Sequence, residues 1–490
     1  MKKKLTRLCC LLLALVMALG MAACGKGGDA SQASSGEAKK PAATATPEFV
    51  YAAEFSTLLE KSKDWMNVRE YDENGMYFTK TEKVGERPHE GETPTYEGEF
   101  DVYTSYLYYM DNNGKVTKLA YNAMPPVEDD QNRRDFVSTS DINGVCFTSD
   151  GFVTLEYVLS SWEEGDAKKN SEEYWQNQKY VQQYYIRWFD KQGNELSCAP
   201  VEVPEETWLR GYNMKLDSKG NVVVANDQGL RAIAPDGNDA YTIQTDGWVD
   251  NLITMPDGRL GVSIYGDQMM LCFLDDEAGK LKDGVELNFD LYNAVPGDDK
   301  YDFYFSNGSN FYGLRLGEEP EKLFNWINCD VNGNNVTILD VTDDGRVIGL
   351  SNTWDSKDQS YSYELVTMKQ VPYDSVPHKE TIRMAVLNID YRMQEMLIKF
   401  NRKSDKYRIE VYDYSEYNND KDGWDAGMTK LNTEVLSGNV PDIFCLQGMN
   451  YRQLASKGIL EDLYPYIDSD KELKRGDFFE NVLKAMEVDG

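Results

Sequence analysis

Between about Met76 and Val371 the chain is cut into short strand-like runs by Asp-x-x-Gly and Pro-Asp-Gly turns that recur about every forty residues, and no other feature constrains the fold as tightly. One series of turn glycines is Gly193, Gly237, Gly279 and Gly317; a second, Gly151, Gly220, Gly258 and Gly345, interleaves with it. Two turns per period are what a four-stranded propeller blade requires, one hairpin toward the axis and one outside. In Asn221-Val222-Val223-Val224-Ala225 and Arg346-Val347-Ile348-Gly349-Leu350 an apolar strand follows directly on its turn, as a strand covered by neighbouring blades should. The spacing predicts an all-β propeller of about six blades, with seven the next count. The wide interval from Gly151 to Gly220 predicts one blade with an insertion, placed at the polar stretch Ser161 to Gln178. The rival fold is a β-sandwich or barrel, which needs no such period.

The N-terminus carries a different signal. Lys2, Lys3, Lys4 and Arg7 precede an apolar run from Leu8 to Ala23, which has the pattern of an export signal and is short for a spanning helix. It ends in Met21-Ala22-Ala23-Cys24-Gly25, which resembles a bacterial lipoprotein lipobox and departs from it at Met21. The resemblance implies a signal peptide over 1–23 and a diacylglyceryl anchor on Cys24, holding the protein on the extracellular face of the cell membrane. The plain alternative is secretion with Cys24 incidental. Residues 24–47, made of Gly, Ser, Ala, Lys, Thr and Pro, read as a flexible linker, and no later run reaches spanning length. Phe55, Leu58, Leu59 and Trp65 fall near helical spacing, predicting an amphipathic helix over Phe49 to Trp65. The propeller-like domain is placed at 48–372.

After Pro372 strands and helices alternate. Thr381 to Leu387 reads as a buried strand, followed by a helix opening near Asp390 with Met393, Met396, Leu397 and Phe400 on one face. Tyr407 to Tyr412 is a second strand, Trp424 to Ser437 a helix with Met428, Leu431, Val435 and Leu436 as its stripe, and Asp442 to Leu446 a third strand. Further helices are expected at Tyr451 to Lys457 and Phe478 to Met486. This alternation implies a parallel sheet with helices on both faces.

The order of these features, with Lys399-Phe400-Asn401, Gly438-Asn439-Val440-Pro441-Asp442-Ile443 and Ala455-Ser456-Lys457-Gly458-Ile459-Leu460-Glu461-Asp462-Leu463, resembles the N-terminal lobe of family 1 extracellular solute-binding proteins of ABC importers. A propeller ahead of such a lobe resembles a subset of bacterial lipoproteins. The resemblance covers 380–490 and implies a partial, periplasmic-binding-protein-like α/β lobe that captures a small-molecule solute, a sugar above all, for an ABC permease. Members of the family close two lobes on their ligand, so the expectation is a fragment or one half of a split gene. Ligands of open parallel sheets sit beyond the carboxyl ends of the strands. Expected ligand-binding residues there are Tyr414 and Tyr417, stacking on sugar rings, with Asn388, Asp390 and Gln447 as polar partners. Gly438 is expected to end its helix in a left-handed conformation, and Asp442 to cap or brace the third strand.

Charge and motif content narrow the remaining classes. With 83 acidic against 51 basic residues, a net charge of -32 repels polyanions, which excludes nucleic acid as a partner. His89 and His378 are the two histidines, neither beside a nucleophile pattern, and GxSxG, HExxH and Walker-type motifs are absent, so no enzyme, cofactor or metal site is expected. Thr148-Ser149-Asp150-Gly151 lacks the spacing of a sialidase Asp box, and Asn328 to Asn335 reads as an Asn-Gly turn rather than a calcium loop. Cys146, Cys198, Cys272, Cys329 and Cys445 read as buried small residues with room for one or two bridges. The alternative function is a surface-anchored propeller mediating glycan or protein interaction without transport.

Overall fold

The computed structural model describes residues 47–488, except 64, 73, 87–99, 128–131, 170, 205–206, 288–290, 292–293 and 419–422. Its larger part is a propeller of six four-stranded antiparallel sheets. Five of them follow one another at 67–118, 134–201, 210–244, 248–287 and 295–325. The sixth takes three strands from 336–372 and its fourth from Phe49–Ser62. The first strand of each blade touches the first strand of the next, and Asn67–Asp72 touches Val336–Val341, so the ring closes at six.

The helix expected over Phe49 to Trp65 is a strand. Phe49–Ser62 pairs antiparallel with Ser360–Pro372, from Phe49 opposite Pro372 to Ser62 opposite Tyr361. A register shift between Thr57 and Leu59 places Leu58 in a bulge, so the adjacent leucines both reach the apolar cluster of Met76, Phe78, Met110 and Tyr363. That bulge is why Phe55, Leu58 and Leu59 imitate helical spacing. As a helix the segment would leave the last blade with three strands and an open edge, a penalty larger than any local preference.

Each junction between neighbouring blades holds its own apolar cluster. Val153, Leu155, Tyr184 and Ile186 of the second blade meet Met214, Val222, Val224 and Ile233 of the third, for example. Tyr304 and Phe311 of the fifth meet Val336, Val347, Val366 and Met368 of the sixth. Along the axis, Arg69, Glu70, Asp141, Lys215 and Asp340 come from the first strands of four blades. Crowding by the atoms around the axis pushes the Glu70 carboxyl up although the residue keeps solvent contact, with Lys215 opposing the rise and Asp72 and Asp340 adding to it.

Both glycine series lie on one face. Strands alternate direction within a blade, so first–second and third–fourth turns share a face, and second–third hairpins and blade-to-blade connections share the other. Gly220, Gly258 and Gly345 turn the inner hairpins and Gly193, Gly237, Gly279 and Gly317 the outer ones, all at φ between 60 and 90°. In the second blade the insertion lies between Gly151–Glu163 and Gln178–Asp190 and includes the short helix Glu172–Gln176. Ser171 caps that helix by accepting from the Tyr174 N–H at 3.2 Å.

Beyond Pro372 three parallel strands form a sheet in the order Tyr407–Asp413, Glu380–Val386, Ile443–Phe444. Helices Tyr391–Lys403, Ala426–Leu436, Tyr451–Ser456, Tyr464–Ser469 and Glu480–Met486 accompany it, Tyr464–Ser469 being one the sequence pattern misses. Leu431 is buried, but Leu436, expected in the same stripe, is 79% exposed. Gly438 sits at φ +90 just past its helix. Asp442 braces the sheet, its Oδ2 accepting from the Arg383 N–H at 2.8 Å. All five cysteines are free, so no bridge forms among the described residues; Cys329 is buried, with its thiol pushed up to about 12, whereas Cys198 is exposed.

The connection between the fifth and sixth blades joins ring and sheet. Ile327 is 1% exposed in the core formed by Met384, Val386, Leu397, Ile398 and Val411. Next to it the Asn328 amide donates to Val411 O at 3.1 Å and accepts from Val411 N at 2.9 Å, as a neighbouring strand would. Asn401, fully buried, does the same for Ile409 at 2.9 and 2.8 Å. The peptide groups of Ile409 and Val411 on the outer edge of Tyr407–Asp413 are therefore satisfied by two side-chain amides rather than left open.

Candidate functional site

A parallel sheet in the order second, first, third sends the chain to opposite sides after its first and third strands, and ligands of open α/β sheets sit in the crevice this creates. Here the first strand leads through Asn388 and Asp390 into the helix Tyr391–Lys403, and the third through Gln447 into Tyr451–Ser456. The two segments lie side by side. Cys445 Sγ donates to Asn388 O at 3.5 Å, and a Cβ on Gly448 would stand 3.8 Å from Leu387 Cβ. Asn388 and Gln447 are exposed beside this crevice. Asp390 caps its helix, one carboxylate oxygen accepting from the N–H groups of Arg392 and Met393 at 2.9 and 3.0 Å. Asn450 caps the other, accepting from the Gln453 N–H at 3.3 Å.

Of the five expected ligand residues, Asn388, Asp390 and Gln447 are brought together and the two tyrosines are not. Tyr414 and Tyr417 follow the second strand, whose carboxyl end lies on the far side of the first. Tyr414 is buried and Tyr417 about half exposed, their ring centroids 6.2 Å apart. Glu416 between them turns to the fifth blade, accepting from Asn310 Nδ2 at 2.9 Å and pairing with Lys322 at 2.7 Å. Cys24 and His89 lie outside the described residues, and His378 stacks on Tyr373 at 4.3 Å between centroids.

The propeller sets the position of the first helix. Asn334 Nδ2 donates to Gln394 Oε1 at 3.0 Å, and Asn335 Nδ2 to the Tyr391 hydroxyl at 3.0 Å. That hydroxyl donates in turn to Glu395 Oε1, also at 3.0 Å, and burial raises its pKa. Arg408 binds the Asn328 carbonyl and pairs with Asp330 at 3.0 Å. Sequence reading takes Asn328 to Asn335 for a turn and misses this joint. The available signal was Trp326-Ile327, a large apolar pair opening an otherwise polar stretch.

Among the described residues no group of three or more His, Cys, Asp or Glu is placed to hold a metal ion, and no helix is long and apolar enough to cross a membrane. No family model matches the chain, and no curated protein does. Among solved structures it is similar to a protein of unknown function from Bacteroides caccae, at 13% identity and a TM-score of 0.28, over 59% of this chain and 78% of that one. It is also similar to the Dos1 propeller, at 10% identity and TM-score 0.31, over 64% and 96% of the two chains. A Mycobacterium tuberculosis puromycin-hydrolyzing peptidase matches at 12% identity and TM-score 0.32, over 61% of this chain and 46% of its own.

Proposed function

We propose that this chain captures a small solute, of the carbohydrate class, at the crevice between the first and third parallel strands, for delivery to an ABC permease. One observation carries the reading: strand order 2-1-3 makes Asn388, Asp390 and Gln447 neighbours at the carboxyl edge, where helices Tyr391–Lys403 and Tyr451–Ser456 begin. Exposed side-chain amides there can both donate to and accept from sugar hydroxyls. The sealed outer edge of Tyr407–Asp413 directs a ligand or a facing lobe to the crevice rather than to that strand. A lipid on Cys24, with residues 25–47 as the tether, would hold the crevice at the outer membrane surface.

Titration calorimetry of the protein against a panel of mono- and oligosaccharides tests this. At least one sugar should bind, and Asn388→Ala with Gln447→Ala should weaken it about ten-fold or more while Tyr414→Phe leaves it unchanged. A silent panel, or unaltered affinity in the double variant, overturns the assignment.

A further inference from the structure

We propose that the propeller carries a second binding site, independent of the crevice, in which Trp208, Tyr212, Trp248 and Tyr265 form a stacking strip for a neutral glycan at the mouth of the central axis. Between Leu196 and Trp354 these four are the only exposed large apolar side chains among the described residues. All four belong to adjacent blades and lie toward the face opposite the glycine turns. Arg210 and Tyr212 flank the buried Gly211 at the start of the strand Arg210–Leu216, and Trp208 lies just before it, next to the buried Leu209. Trp248 opens the first strand of the next blade and is the direct cross-strand partner of Tyr265. Cross-strand partners stand about 5 Å apart at Cβ on a shared face.

Arg210 organises the strip. Its guanidinium lies 3.3 Å from the centre of the Trp248 ring, covering one face of the indole while the residue as a whole stays 50% exposed. Arg210 also binds the Asn226 carbonyl and stands 3.9 Å from Asp227. Two of its polar atoms, Nε and Nη1, are shut off from solvent and have no acceptor among the described residues. Buried donors without acceptors are costly, and ring stacking does not supply the missing bond. A hydroxyl pair arriving at the indole edge would do so, with Asp227 receiving the hydroxyl protons, once the ring slides off the guanidinium.

The chemistry selects the occupant. The third and fourth blades expose no large aliphatic side chain among the described residues, so the strip offers little to apolar peptide side chains, but its ring faces suit the C–H faces of pyranoses. A net charge of -32 and the carboxylate of Asp227 disfavour acidic polymers, leaving neutral ones.

The test is native gel electrophoresis of the protein through gels containing xyloglucan, galactomannan, arabinoxylan or starch, with polygalacturonate alongside, paired with tryptophan fluorescence titration. At least one neutral polysaccharide should retard the protein and shift its emission. Trp248→Ala and Trp208→Ala should each weaken retardation about ten-fold or more without lowering the melting temperature, and Trp354→Ala should not. The Asn388→Ala, Gln447→Ala double variant should be retarded like the native protein, which separates failure of this site from failure of the crevice. No retardation by any neutral polymer, stronger retardation by polygalacturonate, or full retardation of Trp248→Ala overturns the proposal.

Discussion

On one face of the propeller the connections are short turns that satisfy much of their own backbone; the other has hairpins that do the same at Asn226, Asn307 and Asp355, and also the longer connections between blades. Asp190 accepts from the N–H groups of Gln192 and Asn194, both at 2.9 Å, and Asp217 from those of Lys219 and Asn221 at 2.9 and 2.8 Å. Such a turn satisfies its own backbone within about five residues, and that of Asp217 also reaches the next blade, Ser218 N donating to Asp276 Oδ2 at 2.9 Å. The opposite face carries exposed Trp65, Trp175, Trp208, Trp248 and Trp354, together with the connection that puts Ile327 into a neighbouring core. The long connections, rather than the hairpins, make the opposite face a place for contacts.

Breaking the joint on the contact face should have the largest effect. Ile327→Ala removes a buried side chain shared by ring and sheet and should cost about 2–5 kcal/mol in denaturant unfolding. A loss under about 1 kcal/mol would mean the joint contributes nothing beyond surface contact.

The turn face is tested by two glycines of equal backbone conformation. Gly258 has φ +81 with open space where a Cβ would be, so Gly258→Ala should cost about 1–2 kcal/mol for the left-handed conformation alone. Gly237 has φ +86 and a Cβ there would fall 2.1 Å from Pro200 O, so Gly237→Ala should lower the melting temperature further. Equal shifts would show that the neighbouring chain yields freely.

A smaller effect distinguishes the axis from the turns by its sign with pH. Hydrogen bonds from Asn194 hold the Asp190 carboxyl below its ordinary range, so its contribution is present at neutral pH and fades as pH falls through that depressed value. Glu70 is raised, chiefly by desolvation, so its ionisation works against folding as pH rises through its elevated value. Glu70→Gln should therefore raise the melting temperature at pH 7, by an amount that shrinks toward pH 4. A gain independent of pH would assign the effect to packing. Last, Trp248→Ala should leave unfolding free energy within about 0.5 kcal/mol of the native value, as expected for an exposed side chain.

The same division explains what was legible. Asp-x-x-Gly turns announce themselves because positive φ favours glycine, and Gly193, Gly237 and Gly258 could be placed from sequence alone. Phe49–Ser62 could not, since a bulge at Leu58 and a partner some three hundred residues away decide its form. In the parallel sheet the helix opening at Asp390 was readable from its capping residue, but its expected stripe was not its buried face: Leu397 is buried with Gln394, Ile398 and Asn401, whereas Met396 and Phe400 are exposed. Tyr414 and Tyr417 looked equivalent to Asn388 and Gln447, each following a strand, and only strand order tells them apart. That order is a property of the assembled sheet and leaves no mark in any one segment.

Phe49 and Pro372 are paired neighbours, and just outside them the Tyr373 N–H donates to Glu48 O at 3.0 Å. The polypeptide thus arrives at and departs from the whole six-bladed body at a single corner, through two points one strand spacing, about 5 Å, apart. A cassette with abutting ends can be inserted into a pre-existing chain while the flanking segments keep their places, although excising this one would also take Ile327 out of the core of the sheet that follows.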